Sequence, residues 1–379
     1  MLHQTNIYSA TACVILGLLT STNAYAAGIT FQGLGYLPGG SNESWARDAS
    51  ADGSVVVGWS LNSSGFNEAF RWTSATGMVG LGQLPGGANS NSYDVSADGT
   101  IVVGASAGKA FRWTQATGMQ ALDAPVATSQ YHANAISADG TVATGYCSPQ
   151  PGIGNEACRW TPSLEHLGGF PGGNGSAGSF DISADGSVIV GIGEAATGGE
   201  AYRWTQATGM VDLGNMPGGV NDSANGISAD GLVIVGHGNG SLGQEAFRWT
   251  QETGMVGLGD LPGGYFSSKA LAVSEDGSVI VGHSKTDNDG MEGFIWDASN
   301  GMRHLQQLLV SAGNDLTGWS NLHPWGISDD GRTVVGLGHH AGNVTEAWVA
   351  TVPEPTTAVL FVSGAILLVG FAGGRRGQR

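Results

Sequence analysis

A turn of the form Ser-x-Asp-Gly recurs seven times in this chain, with its Asp at Asp52, Asp98, Asp139, Asp185, Asp230, Asp276 and Asp330. Successive turns stand 46, 41, 46, 45, 46 and 54 residues apart, and a period of that length confines the chain to a repeat architecture. An apolar run follows each turn, such as SVVVG from Ser54 or TIVVG from Thr100. Next comes an aromatic run: EAFRWT from Glu68, KAFRWT from Lys109, EACRWT from Glu156, EAYRWT from Glu200, EAFRWT from Glu245, EGFIWD from Glu292 and EAWVAT from Glu346. A Gly-Met-x-x-Leu-Gly segment and a Pro-Gly-Gly turn then lead into the next unit.

Each unit therefore reads as four short strands. Asp-Gly between extended runs marks a hairpin, because Gly accepts positive φ without steric cost. Pro-Gly-Gly suits a type II turn between units. The Val-rich strands are apolar at consecutive positions, so both faces are expected to be buried, as stacked sheets would require. About 45 residues and four strands per unit predict an all-β, seven-bladed β-propeller. The offset of the repeat supports ring closure. The last unit stops after its third strand, EAWVAT, whereas the first is preceded by a lone fourth strand, ITFQGLG, so residues 29 to 35 are expected to pair with the last blade and remove an open edge. An open β-solenoid is the rival, but it would not need complementary partial units.

Both ends read as addressing segments, leaving residues 28–351 as the propeller. Residues 1–27 resemble a signal peptide: ATACVILGLL is its apolar core, and Ala24-Tyr25-Ala26 suits cleavage after Ala26 or Ala27, although the start lacks Lys and Arg. At the other end, Pro353-Glu354-Pro355 precedes 19 uncharged residues, Thr356 to Gly374, which as a helix would span roughly 28 Å, about one bilayer core. Arg375, Arg376 and Arg379 follow, a charge bias that favours the cytoplasmic side.

Pro-Glu-Pro, an apolar helix and a terminal Arg cluster in that order resemble the PEP-CTERM sorting signal of Gram-negative bacteria. That resemblance implies processing by signal peptidase and an exosortase, a transient anchor in the inner membrane, and delivery to the cell surface or extracellular matrix. The Ala-Phe-x-Trp strand, the Met-x-x-Leu-Gly-x-Leu-x-Gly-Gly link and the Asp-Gly-x-Val-Val-Gly hairpin resemble the HAF-repeat extracellular proteins over residues 28 to 351. This chain departs at the namesake position, with Glu68, Glu156, Glu200, Glu245, Glu292 and Glu346 where that family often has His.

Composition narrows the function. The formal charge of -17, with 14 Lys and Arg against 31 Asp and Glu, argues against a nucleic-acid partner, whose phosphates need cations. Gly104-Ala105-Ser106-Ala107-Gly108 fits a hydrolase elbow, yet Ser60 and Ser284 occupy the same repeat position, so structure explains it better. Asp287-Asn288-Asp289-Gly290 is a calcium candidate that lacks the leading Asp, Lys285 standing there; no other cofactor is expected. His339 and His340 lack a third ligand at a zinc spacing, so no metal site is assigned. Cys147 and Cys158 bracket a hairpin and would suit a disulfide in an oxidising compartment. Turn Asp residues are expected to cap their own turns, the recurrent Trp to fill the core, and Arg71, Arg112, Arg159, Arg203 and Arg248 to pair with carboxylates between blades. Trp319, His323 and Trp325, in the long last unit, are assigned a closing role.

No catalytic residue is assigned. The expected function is a non-enzymatic matrix or surface component that binds exopolysaccharide or protein. The alternative is a propeller glycoside hydrolase or lyase acting on exopolysaccharide, which an asymmetric carboxylate pair in the central funnel would favour.

Overall fold

The computed structural model describes residues 28–122, 130–148, 154–286, 290–340, 342 and 344–352. Seven four-stranded antiparallel sheets form the blades of a β-propeller. Blade 1 is Ser44–Ala49, Val55–Leu61, Asn67–Thr73 and Gly77–Gly80, from the channel outwards. The inner strands of blades 2 to 7 are Ser90–Val95, Gln130–Ile136, Ala177–Ile182, Ser223–Ile227, Ser268–Val273 and Ser320–Ile327. The outermost strand of blade 7 is Phe31–Gly35, paired antiparallel with Val344–Thr351, so first and last repeats share a sheet as the offset predicts.

The repeat residues account for the elements. In every Ser-x-Asp-Gly turn the Ser hydroxyl and the amide two residues after the Asp both donate to Asp Oδ1; at the first turn, Ser50 Oγ and Ser54 N lie 2.9 Å from it. The Ser oxygen also accepts the next strand's first amide, as Val55 N does at 3.0 Å. Gly53 sits at φ 68, where a side chain would be strained, and a Cβ there would lie 2.0 Å from Thr333 Oγ1 of blade 7. Between blades, Val and Ile of one second strand meet the aromatic and Trp of the neighbouring third strand. Phe70, Phe111, Tyr202, Phe247, Phe294 and Trp348 are fully buried, and Trp72, Trp113, Trp160, Trp204, Trp249 and Trp296 belong to or pack on the same clusters.

The recurrent arginines depart from expectation. Arg71 Nε donates to the carbonyl of Gly99 in the next blade's turn, at 3.1 Å. Arg159 pairs with Glu165 of its own blade at 2.8 Å and lies over the Trp204 ring. Among the described residues none of Arg71, Arg112, Arg159, Arg203 and Arg248 is seen in an ion pair between blades. A guanidinium can donate to a turn carbonyl or a carboxylate and stack on a ring at the same time.

Two features position the candidate site. Each inner strand carries a β-bulge, with register shifts at Ala46/Asp48, Ser92/Asp94, Ala133/Ala135, Ser179/Asp181, Ala224/Gly226, Ala270/Ala272 and Pro324/Gly326. Below them, backbone hydrogen bonds run from turn to turn: Ala51 N to Ala97 O, Ala97 N to Ala138 O, Ala138 N to Ala184 O, Ala184 N to Ala229 O, Ala229 N to Glu275 O and Glu275 N to Asp329 O, at 3.0 to 3.1 Å. Asp330 N donates to Ala51 O at 3.3 Å and completes a ring around the narrow end of the channel.

Of the addressing segments, 1–27 and 352–379, all but Val352 lie outside the described residues, as does 287–289 of the calcium candidate. Among the described residues no helix is long and apolar enough to cross a membrane.

Candidate functional site

The channel is where repetition breaks down. A bulge sets two consecutive residues against one partner, so both can face the same side. At the first bulge position stand Arg47, Tyr93, Asn134, Phe180, Asn225, Leu271 and Trp325; at the second, Asp48, Asp94, Ala135, Asp181, Gly226, Ala272 and Gly326. All of these but Gly226, with His132 and Tyr146, line a cavity of about 470 Å³. Below it a narrower section, about 120 Å³, runs past Asp48, Asp94 and Asp181 to Glu275 and Asp329, which replace the Ala of the other five turns.

The carboxylates sit at different depths of constraint. Asp94 Oδ1 accepts Val95 N at 2.6 Å, and its Oδ2 accepts Ile136 N of blade 3 at 2.6 Å. Asp181 does the same for Ile182 N and Ile227 N of blade 5. Both therefore tie neighbouring blades through amides that the bulge frees. Asp48 instead meets Asp94, carboxyl to carboxyl. Burial, followed by the Asp94 charge and their hydrogen bond, raises Asp48 well above the carboxylate range. Two carboxyl groups so joined need a proton between them; Asp94 already accepts two amides, so Asp48 holds it. Burial and the Asp94 charge push Asp181 up to about 8. Burial with Glu275, Asp94 and Asp330 pushes Asp329 up to about 6. These groups keep surface towards the channel, so water moderates the repulsion.

An aromatic arc runs over blades 7, 1, 2 and 3, and of its members Trp325, Tyr93, His132 and Tyr146 line the cavity. Trp59 stacks on Trp45 with centroids 5.2 Å apart, and Trp45 lies 6.3 Å from Trp325. The Arg47 guanidinium sits 4.2 Å from the Trp325 ring and 5.6 Å from Tyr93. Tyr93 stacks with His132 and His132 with Tyr146, at 5.9 and 4.5 Å. Among the described residues Trp45 Nε1 and Trp325 Nε1 are buried donors with no partner. Burial lowers His237 and His323 to about 4 and His283 to about 3, with Lys269 among the further causes for His237 and His283, so all three are neutral near pH 7. His283 Nδ1 also lacks a partner.

The chain is similar in fold to several solved propellers. An oligogalacturonate lyase in complex with manganese is 15% identical, with a TM-score of 0.55 over 86% of this chain and 97% of that one. An oligogalacturonate lyase from Vibrio parahaemolyticus is 11% identical, with a TM-score of 0.58 over 86% and 98%. A TolB-type protein from Agrobacterium tumefaciens reaches 0.45 at 15% identity over 73% and 94%. The likeness is one of fold. No protein-family profile matches the chain, and no curated protein does.

The residues singled out from sequence fall in several places. Ser106 is buried, donates to Asn89 O and accepts Leu84 N, and Ser60 and Ser284 repeat that pattern, so the elbow-like motif joins blades. The last-unit trio separates. Trp319 stacks on His340 and packs edge-on against Phe31, a closing role, whereas Trp325 lines the channel cavity and His323 meets His283 of blade 6 edge-on. His340 Nδ1 lies 3.1 Å from Glu346; His339 Nδ1 is buried without a partner. Cys147 and Cys158 stand side by side as buried thiols on adjacent strands of blade 3. Sequence reasoning missed Arg47, Trp45, Trp59, Tyr93, His132, Tyr146 and the bulge carboxylates. Their signal was variation: they occupy positions of the first and second strands of each blade that do not repeat.

Proposed function

We propose that the protein is an exported surface or matrix component whose channel mouth binds a saccharide. The observation that supports this most is the aromatic arc, within which Trp45 Nε1 and Trp325 Nε1 are buried donors without a partner among the described residues. Sugar rings present apolar C–H faces that stack on such rings, and hydroxyls that would take those donors. The carboxyl groups beneath can accept further hydroxyls. Export and sorting rest on the terminal segments, and the exopolysaccharide of the host bacterium is the ligand we put first.

A second reading has its own observation. The channel is asymmetric, and the proton-sharing pair Asp48 and Asp94 is the kind of arrangement a glycoside hydrolase or lyase could use for acid and base steps. The two lyases of the same fold act on oligogalacturonate by name, but at 15% and 11% identity they carry no assignment here.

Incubating the purified protein with that exopolysaccharide separates the readings, calorimetry following binding and size-exclusion chromatography following chain length. Binding with intact polymer, weakened at least about tenfold in Trp325→Ala, is the expected result. Shortened polymer, with shortening lost in Asp48→Asn, would establish the enzyme reading. Absence of both would remove the saccharide assignment.

A further inference from the structure

Blade 3 differs from the other blades at positions that touch one another. Where Phe70, Phe247 and Phe294 fill the third strand, blade 3 has Cys158; where Ser60 and Ser284 stand opposite the repeat Glu, it has Cys147. On its fourth strand, His166 occupies the site of Gly80 and Gly257.

The last exchange redirects Glu156. In blades 1 and 5 the equivalent Glu68 and Glu245 fold back over that glycine, accepting Gly82 N at 3.2 Å and Gly259 N at 3.0 Å. A Cβ at Gly80 or Gly257 would lie 2.3 or 2.2 Å from the Glu oxygen, so a larger residue there displaces the carboxylate. His166 does so, and Glu156 Oε2 lies 2.6 Å from its Nδ1. Cys147 Sγ lies 3.6 Å from the same nitrogen, and the Cys158 thiol is hydrogen-bonded to Cys147. Blade 6 provides the contrast: it places His304 at the His166 position but keeps Ser284 and Phe294 at the cysteine positions.

One atom from each of Cys147, Glu156 and His166 lies within 4.8 Å of the others, the one group of this kind among the described residues. We propose that these three residues bind a divalent cation of borderline softness, with Zn²⁺ as its type. The donor set argues for that choice, since thiolate, imidazole and carboxylate together suit zinc, whereas calcium and magnesium prefer oxygen alone. Distances agree. Tetrahedral Zn–S and Zn–N bonds place sulfur and nitrogen about 3.5 Å apart, close to the 3.6 Å seen. The imidazole and carboxylate would open to about 3.3 Å as the metal replaces the proton between them. Cys158 then donates its thiol to the ligating sulfur, and the half-exposed His166 side leaves a fourth position for water.

Cobalt serves as the probe on the full chain, reduced and stripped of metal by chelation. One equivalent of Co²⁺ should produce thiolate-to-cobalt charge-transfer absorption, displaced by Zn²⁺ at one ion per chain in elemental analysis. Cys147→Ser and His166→Gln should each weaken binding at least tenfold, while Cys158→Ser, which cannot form the Cys147–Cys158 disulfide, should keep the absorption. Three results would overturn the proposal: no absorption with Cys147 reduced, equal affinity in Cys147→Ser, or a Cys147–Cys158 disulfide peptide from protein exported by its own cell.

Discussion

Asp329 and Asp48 show how a single side chain in the channel couples to the stability of the ring. Each has a folded pKa above the ordinary carboxylate value, so the folded state holds a proton that the unfolded chain releases. That contribution is fully present below about pH 4 and is lost as pH rises through the folded value. For Asp329 the loss falls between about pH 4 and 6; for Asp181 it continues to about 8. Asp329→Asn should flatten the decline of stability between pH 4.5 and 7, by at most about 1.4 kcal/mol per pH unit and less where channel water screens the charge. Urea midpoints at the two pH values measure this, and an unchanged slope would mean Asp329 already titrates normally. The turn carboxyls Asp52, Asp98, Asp139, Asp185 and Asp276 shift the opposite way. Hydrogen bonds from Ser54 N and its hydroxyl lead the causes that hold Asp52 below its usual range, and the exposed turn leaves little burial to oppose them.

At the level of elements, the closing strand carries the interactions that no other strand can supply. Phe31 packs edge-on against Trp319 at 5.0 Å and beside Trp348 at 5.8 Å, while Gly35 N donates to Glu346. Phe31→Ala should lower the unfolding free energy by about 2 to 4 kcal/mol, read from denaturant titration. Removal of residues 28–35 should do more than destabilise. It bares the backbone edge of Val344–Thr351, and we expect concentration-dependent association in light scattering, whereas deletion within an exposed loop should not cause it. The helix Leu305–Ser311 explains the long spacing before the last turn: it buries Leu305 and Leu309 against blade 6 and helps cover the closing blade.

For the whole molecule, the ring converts sequence distance into proximity. Trp325 and Trp45 lie 280 residues apart in the chain yet 6.3 Å apart at the mouth, because blade 7 adjoins blade 1. A ligand held there bridges first and last repeats, so saturating saccharide should raise the melting temperature of the intact protein and leave Trp325→Ala unmoved. Calorimetric scanning with and without polymer tests it; equal shifts in both would place binding elsewhere.

The amino-acid sequence alone determined the period, the four strands of each unit, the capped turns, the Trp-filled core and closure by residues 29 to 35. Each of these depends on local residue types repeated often enough to be read as a pattern. Bulge geometry was not legible, and with it went the site. Whether Asp48 is one more acidic residue or half of a proton-sharing pair depends on which blade stands beside it. Likewise Glu156 reads as one of six equivalent glutamates until packing shows that His166 has displaced it. Tertiary structure decided these because the contacts run between blades or across strands at nonrepeating positions, where side chains meet through ring closure rather than through neighbourhood in the chain.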